Sequence, residues 1–203
     1  MQRAMQKFTL NLQSVKDLGQ IYVLVSANFP LIEENADEIL RAKIVLMVSA
    51  FDTFIHDVVK IGMGEIFAGR RPSHSKYNDF KFSLSALNNI NSSVAQNEKI
   101  NYFESELEKI NSNDSFQSPK SIEYALGLID VKSVWTLVNP LMGNLGAQNI
   151  KNRLGLIVQR RNKIAHESDH NPVTGDKYPI QKIDVDNDIL FIENLCKAIY
   201  TLT

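Results

Sequence analysis

The sequence predicts an all-α fold, a helical bundle, from three observations. Residues 40–58 carry an apolar stripe at alternating four- and three-residue spacing, which is one face of an amphipathic helix. Its members are Leu40, Ile44, Met47, Phe51, Phe54 and Val58. Residues 146–166 repeat this spacing, and no segment shows the two-residue alternation of a strand. The chain has 203 residues, 44% hydrophobic and 22% charged, which is enough for one well-buried core and requires only one domain.

The first two predicted helices are long. Residues 5–28 carry an apolar stripe, and Pro30 then interrupts the helix, because proline cannot continue it. The second helix begins near Asn35, a residue type that caps helix N-termini. Its fraying end is marked by Gly62, Gly64 and Gly69.

The middle of the chain is more polar. Residues 69–81 form a basic loop with His74 and Tyr77. This loop could touch an RNA backbone, or it could be a surface loop without a role. Residues 82–91 and 94–111 predict two shorter helices.

Cap and proline signals delimit the next two helices. Ser118 before Pro119 predicts a helix start, a cap followed by a first-turn proline. Asp130 is expected to cap a short helix over 131–139, which ends where the next proline follows. Trp135 in that helix is expected to anchor the core.

The chain closes with a loop and a helix. Turn-forming residues over 168–180 predict the loop. The last helix spans about 184–202 and is capped by Asp184 or Asp186. Cys196 falls on its apolar stripe, so we expect it to be buried. As the single cysteine it cannot form an intrachain disulfide, which fits a reducing cytosol.

The candidate site lies near the end of segment 146–166. Its apolar row is Ile150, Leu154, Ile157, Arg161 and Ile164. Arg161 therefore takes an aliphatic slot and needs a partner or a water-lined cleft, because an unpaired buried charge is costly. Asn162 and His166 lie one turn apart on a neighbouring face. Residues 151–163 contain no acidic residue and five basic ones, Lys151, Arg153, Arg160, Arg161 and Lys163. The pattern indicates phosphate chemistry, although a solvated basic helix end is the simpler alternative.

This motif resembles a known signature. Arg161 and His166 have four residues between them, and the polar Asn162 follows the arginine, as in the HEPN superfamily. The wider stretch 156–166 is similar to the RiboL-PSP-HEPN branch, and residues 48–57 look like the second helix of that branch. The resemblance extends over residues 35–68 and 119–203. It implies a HEPN-like bundle of four or five core helices, with residues 69–118 inserted between helices two and three.

The resemblance also implies an activity, that of a metal-independent endoribonuclease. His166 would act as general base or acid, Arg161 would stabilise charge on the phosphate, and Asn162 would orient the reacting groups. RNA is required because the attacking group is the ribose 2′-hydroxyl. The expected RNA-binding residues are Arg160, Lys163, Lys151 and Arg153.

The geometry of a straight helix predicts a dimer. Arg161 and His166 lie about 7.5 Å apart along the axis and about 140° apart around it. A two-fold dimer could bring both copies of the motif to one cleft, as the family usually does, or the helix could end near Ile164 and redirect His166. Asp52 could support the site by pairing with Arg161, or it could pair only with His56, one turn away.

The same family is common in toxin–antitoxin and phage-defence systems, so a toxin role and an antitoxin partner are expectations of the resemblance. The alternative is a non-catalytic helical module that binds RNA or nucleotides or only dimerises. Many HEPN-like domains are of that kind.

Other functions find no support in the sequence. The net charge of −1 gives no general attraction to nucleic acid, so any attraction must be local. The four histidines and one cysteine are scattered, and no glycine-rich phosphate loop follows a strand. We therefore expect neither a metal nor another cofactor. No run of eighteen apolar residues or signal peptide occurs, so we expect no membrane association and a cytoplasmic location.

Overall fold

The computed structural model describes residues 1–28 and 33–203, and nine helices form in that part of the chain. They are α1 (Gln2–Asn28), α2 (Glu33–Phe67), α3 (Ser75–Asn78), α4 (Leu84–Ser92), α5 (Gln96–Asn111), α6 (Pro119–Gly127), α7 (Val134–Leu141), α8 (Ala147–Glu167) and α9 (Lys182–Thr201). The described residues contain no strand, only an isolated antiparallel bridge between His170 and Lys177. The all-α prediction is confirmed.

Helix α2 is the centre of the bundle. Its predicted stripe is buried along its whole length, from Leu40 to Val58. Helix α1 packs along it, and α5, α6, α8 and α9 also contact it. The rings of Phe8 in α1 and Phe54 in α2 meet with centroids 5.4 Å apart. Helix α7 packs on α8 and α9, so the C-terminal half of the chain closes the core around α2.

The start predicted for α2 is wrong, and of the three glycines predicted to mark its end only Gly69, with a left-handed φ of 73°, lies beyond the helix. The helix starts two residues before Asn35 and continues through Gly62 and Gly64. A Cβ on Gly62 would stand 2.5 Å from Cγ2 of Ile129. Glycine at this position therefore allows a close approach of the segment after α6, and packing outweighs its low helix propensity. The predicted break at Pro30 lies outside the described residues.

The short helix predicted over 131–139 is shifted towards the C-terminus. Asp130 and Ser133 have left-handed φ values of 65° and 53°, so the chain turns there and α7 starts after them. The helix also includes Pro140 in its last turn instead of ending before it. The turn closes beyond the proline, because Met142 N–H donates to the Val138 carbonyl at 3.0 Å.

Several smaller predictions are confirmed. Ser118 caps α6 in a capping box with Ser121, and Pro119 is the first helical residue. Trp135 is 3% exposed and Cys196 is fully buried. Burial raises the pKa of the Cys196 thiol well above its ordinary value.

Helix α9 starts earlier than predicted and is capped differently. Gln181 is its N-cap, so Asp184 and Asp186 lie inside the helix. Asp186 instead binds Lys43 of α2, whose buried ammonium lies 2.7 Å from the carboxylate, and it also binds Lys182. These ion pairs join the start of α9 to α2.

The polar middle of the chain covers one end of α2. The two predicted helices there correspond to α4 and α5, and the basic loop over 69–81 contains the one-turn helix α3. The rings of Phe67 in α2 and Phe103 in α5 stack with centroids 4.4 Å apart. The insertion of residues 69–118 stays a prediction. None of the described helices is long and apolar enough to cross a membrane.

Candidate active site on helix α8

The Arg–Asn–His motif occupies the last two turns of α8. The helix is continuous to Glu167, and the following Ser168 has a left-handed φ of 50°. The alternative in which the helix ends near Ile164 is therefore wrong. His166 lies about 7.5 Å along the axis from Arg161 and about 140° around it. Within one protomer, the two side chains leave the helix on different faces.

Arg161 continues the buried row of α8. Ile150, Leu154 and Ile157 are buried, and Arg161 at the next position of the row is half-buried. Its guanidinium makes no hydrogen bond or ion pair with any described residue. Five N–H donors in a planar fork therefore remain available for an anion.

The other two motif residues are also unpaired. Asn162 and His166 are exposed and one turn apart. Neither makes a hydrogen bond or ion pair in the part of the chain that the structure describes. The imidazole of His166 is therefore open to contact with a ligand.

The residue before the motif has very different surroundings. Arg160 Nη2 donates to Asp169 Oδ2 at 2.7 Å and to the carbonyls of Tyr178 and Pro179. The Asp169 side chain is fully buried, and the same oxygen accepts from Nε of Arg41 at 2.9 Å. Its Oδ1 has no partner among the described residues. Arg160 is thus held by a buried carboxylate.

Arg41 extends this network onto α2. Its side chain is almost completely buried, and it donates to the Tyr178 carbonyl at 2.8 Å and to Glu38 Oε1 at 3.1 Å. Glu38 also binds Lys177. Partial burial acts to raise the pKa of Glu38, but the hydrogen bond from Lys177 and the charge of Arg41 outweigh it, so this pKa is lowered. The network fixes the loop after α8 to the central helix.

Tyr178 in that loop forms a platform beside the motif. Its backbone N–H donates to the Asp169 carbonyl at 2.9 Å. Nζ of Lys163 lies 4.6 Å from its ring centroid, and Cζ of Arg160 lies 5.6 Å from it. These cation–π contacts orient both basic side chains without using their N–H donors.

The remaining basic candidates lie on the N-terminal half of α8. Arg153 is bound by Asp188 at 3.3 Å and lies over the Phe191 ring, both in α9. Lys151 has no partner among the described residues and lines a separate cavity. It lies about 15 Å along the helix from Arg161. The structure therefore divides the predicted basic patch between two ends of one helix.

Asp52 is not brought to the motif. Its carboxylate accepts a hydrogen bond from the Phe116 backbone amide at 2.7 Å and lies 3.8 Å from Nε2 of His56. It makes no ion pair with Arg161. Among residues 1–28 and 33–203, no group of three or more His, Cys, Asp and Glu side chains is arranged to hold a metal ion.

Sequence reasoning missed Arg41 and Asp169. A signal was present for Arg41, because it directly follows Leu40 in the apolar stripe of α2. The argument that singled out Arg161, a cation in or beside an apolar row, applies equally to Arg41. Asp169 carried no such signal, because a loop aspartate is usually exposed.

An all-helical bundle with an unpaired arginine, a polar neighbour and a histidine on one helix is the architecture of a HEPN-type protein. The sequence model of the RiboL-PSP-HEPN family matches residues 10–203. The chain therefore belongs to the RiboL-PSP-HEPN family. No match was found among curated proteins or among solved structures.

Proposed function

We propose that the protein is a metal-independent endoribonuclease. One observation carries the proposal: Arg161 and His166 have no partner among the described residues, while Arg160 and Arg153 are held by carboxylates. At the C-terminal end of α8, the arginine and the histidine of the family motif thus remain free for a ligand, while the neighbouring Arg160 does not. Membership of the RiboL-PSP-HEPN family supports the same chemistry.

In the proposed reaction, His166 removes the proton from a ribose 2′-hydroxyl. The 2′-oxygen then attacks the adjacent phosphorus, and the bond from phosphorus to the 5′-oxygen breaks as that oxygen takes a proton from a water molecule; the proton held by His166 returns to the hydroxide that remains. The products are a 2′,3′-cyclic phosphate and a 5′-hydroxyl end. Arg161 stabilises the charge that develops on the phosphate oxygens, and Asn162 orients the phosphate. Lys163, beside the motif, binds a neighbouring phosphate of the RNA.

A homodimer is part of the proposal, because α8 cannot direct both motif residues to one point. The outward row of α8 consists of Leu156, Gln159, Lys163 and His166. Leu156 is 65% exposed, and contact with a second copy would cover it. A two-fold axis beside the last turn of α8, between the outward row and the row of Arg161, would place Arg161 of one protomer and His166 of the other around a shared cleft. Light scattering at micromolar concentration should therefore give a dimer, and a strict monomer would count against the shared site.

Cleavage of total RNA by purified variants tests the catalytic assignment. His166→Ala should lose about 10²–10⁴-fold in rate, as removal of one general acid or base typically does. Its matched control is His170→Ala, which removes another exposed histidine and should cleave normally. Arg161→Gln should also be inactive, whereas Arg70→Gln, at an exposed arginine on the loop after α2, should not.

If His166→Ala cleaves as fast as the parent, His166 is not the catalyst. If the parent binds RNA but does not cleave it, the non-catalytic RNA-binding module is preferred. Melting curves of all four variants separate this result from unfolding. Cleavage should survive a metal chelator and leave cyclic phosphate ends. Loss of cleavage with chelator, restored by magnesium, would refute the metal-independent mechanism.

A toxin or phage-defence role is the proposed biological setting, with an antitoxin or regulatory partner. Expression of the parent protein in a bacterial host should then arrest growth, and expression of His166→Ala should not. Equal toxicity of the two proteins would show that growth arrest does not require RNA cleavage by His166.

A further inference from the structure

A cavity at the N-terminal end of α8 is not used by the proposed nuclease. It has a volume of about 570 Å³ and lies between α3, α6, α7 and α8. This is within the range of about 300–1,000 Å³ that small-molecule sites occupy. Lys151 lines it, about 22 Å along α8 from His166. The cavity and the motif are therefore separate places on the same helix.

Three lysines from three different elements line this cavity, Lys76, Lys132 and Lys151. Lys151 has no hydrogen-bond or ion-pair partner among the described residues. Lys76 packs over Gly127, and its Nζ lies 5.4 Å from the centroid of the Tyr124 ring. Lys132 is paired with Asp130 at 2.9 Å and is mostly exposed at the rim. Two cavity lysines thus lack a carboxylate partner.

The start of α7 adds backbone donors to the same wall. The backbone amides of Val134 and Trp135, the first two residues of this helix, donate to no group of the described chain. The preceding Ser133 is left-handed and provides no side-chain cap. Free amides and the positive end of the helix dipole favour an anion at this point.

The side chain of Trp135 supplies an independent indication of a missing ligand. It lines the cavity, is 3% exposed, and its Nε1 is buried with no hydrogen-bond partner among the described residues. Buried indole N–H groups usually have a partner. Nε1 has no accessible surface, so an acceptor inside the cavity would reach it only after a shift of the Trp135 side chain.

We propose that this cavity binds a phosphate-bearing small molecule of about nucleotide size. Lys76, Lys151 and the first amides of α7 hold its phosphate oxygens, and the Trp135 indole donates to one of them or to another acceptor of the ligand. Glu123 also lines the cavity and reduces its charge, so the site selects a ligand that combines phosphate with a hydrogen-bond donor, such as a ribose hydroxyl. This proposal does not depend on the nuclease activity.

Trp135 is the single tryptophan of the chain, so its fluorescence reports on the cavity alone. Titration with inorganic pyrophosphate should give a saturable change in emission, and calorimetric titration with ATP should show binding at one site per chain. Adenosine, which has the same base and sugar without phosphate, should bind at least about tenfold more weakly, because charge-assisted hydrogen bonds are lost.

Lys151→Gln and Lys76→Gln should each weaken ATP and pyrophosphate binding about tenfold or more. Lys197→Gln is the matched control, because it removes the same charge from α9, outside the cavity lining. A 5′-phosphorylated RNA oligonucleotide and its 5′-hydroxyl form distinguish a nucleotide from an RNA end as the source of phosphate. The proposal is overturned if neither ATP nor pyrophosphate gives saturable binding, or if Lys197→Gln weakens their binding as much as Lys151→Gln does. It is also overturned if the phosphorylated RNA binds and ATP and pyrophosphate do not.

Discussion

Replacement of Asp169 by asparagine should destabilise the protein without altering the shape of the loop after α8. Asp169 has a left-handed φ of 61°, a conformation that asparagine adopts readily. The substitution therefore removes the charge and leaves the backbone preference intact. Asparagine also gains no hydrogen bond at the position of the unpaired Oδ1, because an amide group there would replace an unpaired acceptor with an unpaired donor.

The expected loss in free energy of unfolding follows from the two arginines that the carboxylate binds. One oxygen of Asp169 accepts from Arg41 at 2.9 Å and from Arg160 at 2.7 Å, and the carboxylate is fully buried. Breaking a buried ion pair by removing one partner typically costs about 3–5 kcal/mol. Arg41 keeps Glu38 and the Tyr178 carbonyl, and Arg160 is partly exposed, so we expect the lower end, about 3 kcal/mol. For a chain of this length, that lowers Tm by about 6–12 °C.

The assay is thermal unfolding followed by circular dichroism, with urea unfolding to obtain the free energy directly. Asp176→Asn is the matched control, because it removes the same charge from an exposed position of the same loop and should change Tm by no more than about 2 °C. A melting temperature of Asp169→Asn equal to that of the control would refute the structural role assigned to this carboxylate. Faster proteolysis of the loop in Asp169→Asn, but not in Asp176→Asn, would locate the change.

Three further predictions concern charge and burial. Lys163→Ala should weaken RNA binding for all sequences and reduce the slope of log affinity against log salt by about one, measured by salt-dependent titration. Asp186→Asn should cost about 1–2 kcal/mol at neutral pH, since buried Lys43 loses its carboxylate partner. Partial burial acts to raise the pKa of Asp186, but hydrogen bonds from Lys182 and Lys43 lower it below its ordinary value of 3.8. The stability it provides is therefore present above that pH and is lost as the pH falls through the lowered pKa, so parent and variant should converge in acid unfolding curves. Cys196 should resist alkylation until the protein unfolds, because burial raises its pKa and blocks access, and mass spectrometry with and without denaturant measures this.

The sequence predicted the helices well because their apolar periodicity is local information. The stripe from Leu40 to Val58 is buried as expected, and so are Trp135 and Cys196. The errors lie at helix ends, because contacts with residues far away in the sequence determine where a helix starts and stops. Gly62 continues α2 because Ile129 packs closely against it, and no pattern within α2 contains that contact. Helix boundaries depend on such partners more than helix existence does.

Within the candidate site, the sequence singled out Arg161 by its place in the apolar row and assigned Arg160 to RNA binding, but it could not show that Arg160 is held by the fold. Arg160 and Arg161 differ by about 100° around α8, and both could satisfy a spacing of four or five residues before His166. What separates them is Asp169 in a loop and Arg41, more than a hundred residues away. Only their arrangement in the fold shows that Arg160 is held and Arg161 is free.

The charge available to RNA is consequently smaller than the basic count of α8 indicates. Arg160 is held by Asp169, which it shares with Arg41, and Arg153 is bound by Asp188. Lys151 lies in the separate cavity, which leaves Arg161 and Lys163 as the basic residues of α8 that remain available beside His166. Two cations and a net charge of −1 provide little attraction for a polyanion at physiological salt, where charges beyond about 8 Å are screened. Two copies around one cleft would double the local charge and also bring Arg161 opposite His166. The weak field of one protomer and the divergence of its motif residues thus favour the same arrangement, and a dimer that dissociates on dilution should lose RNA binding and cleavage together.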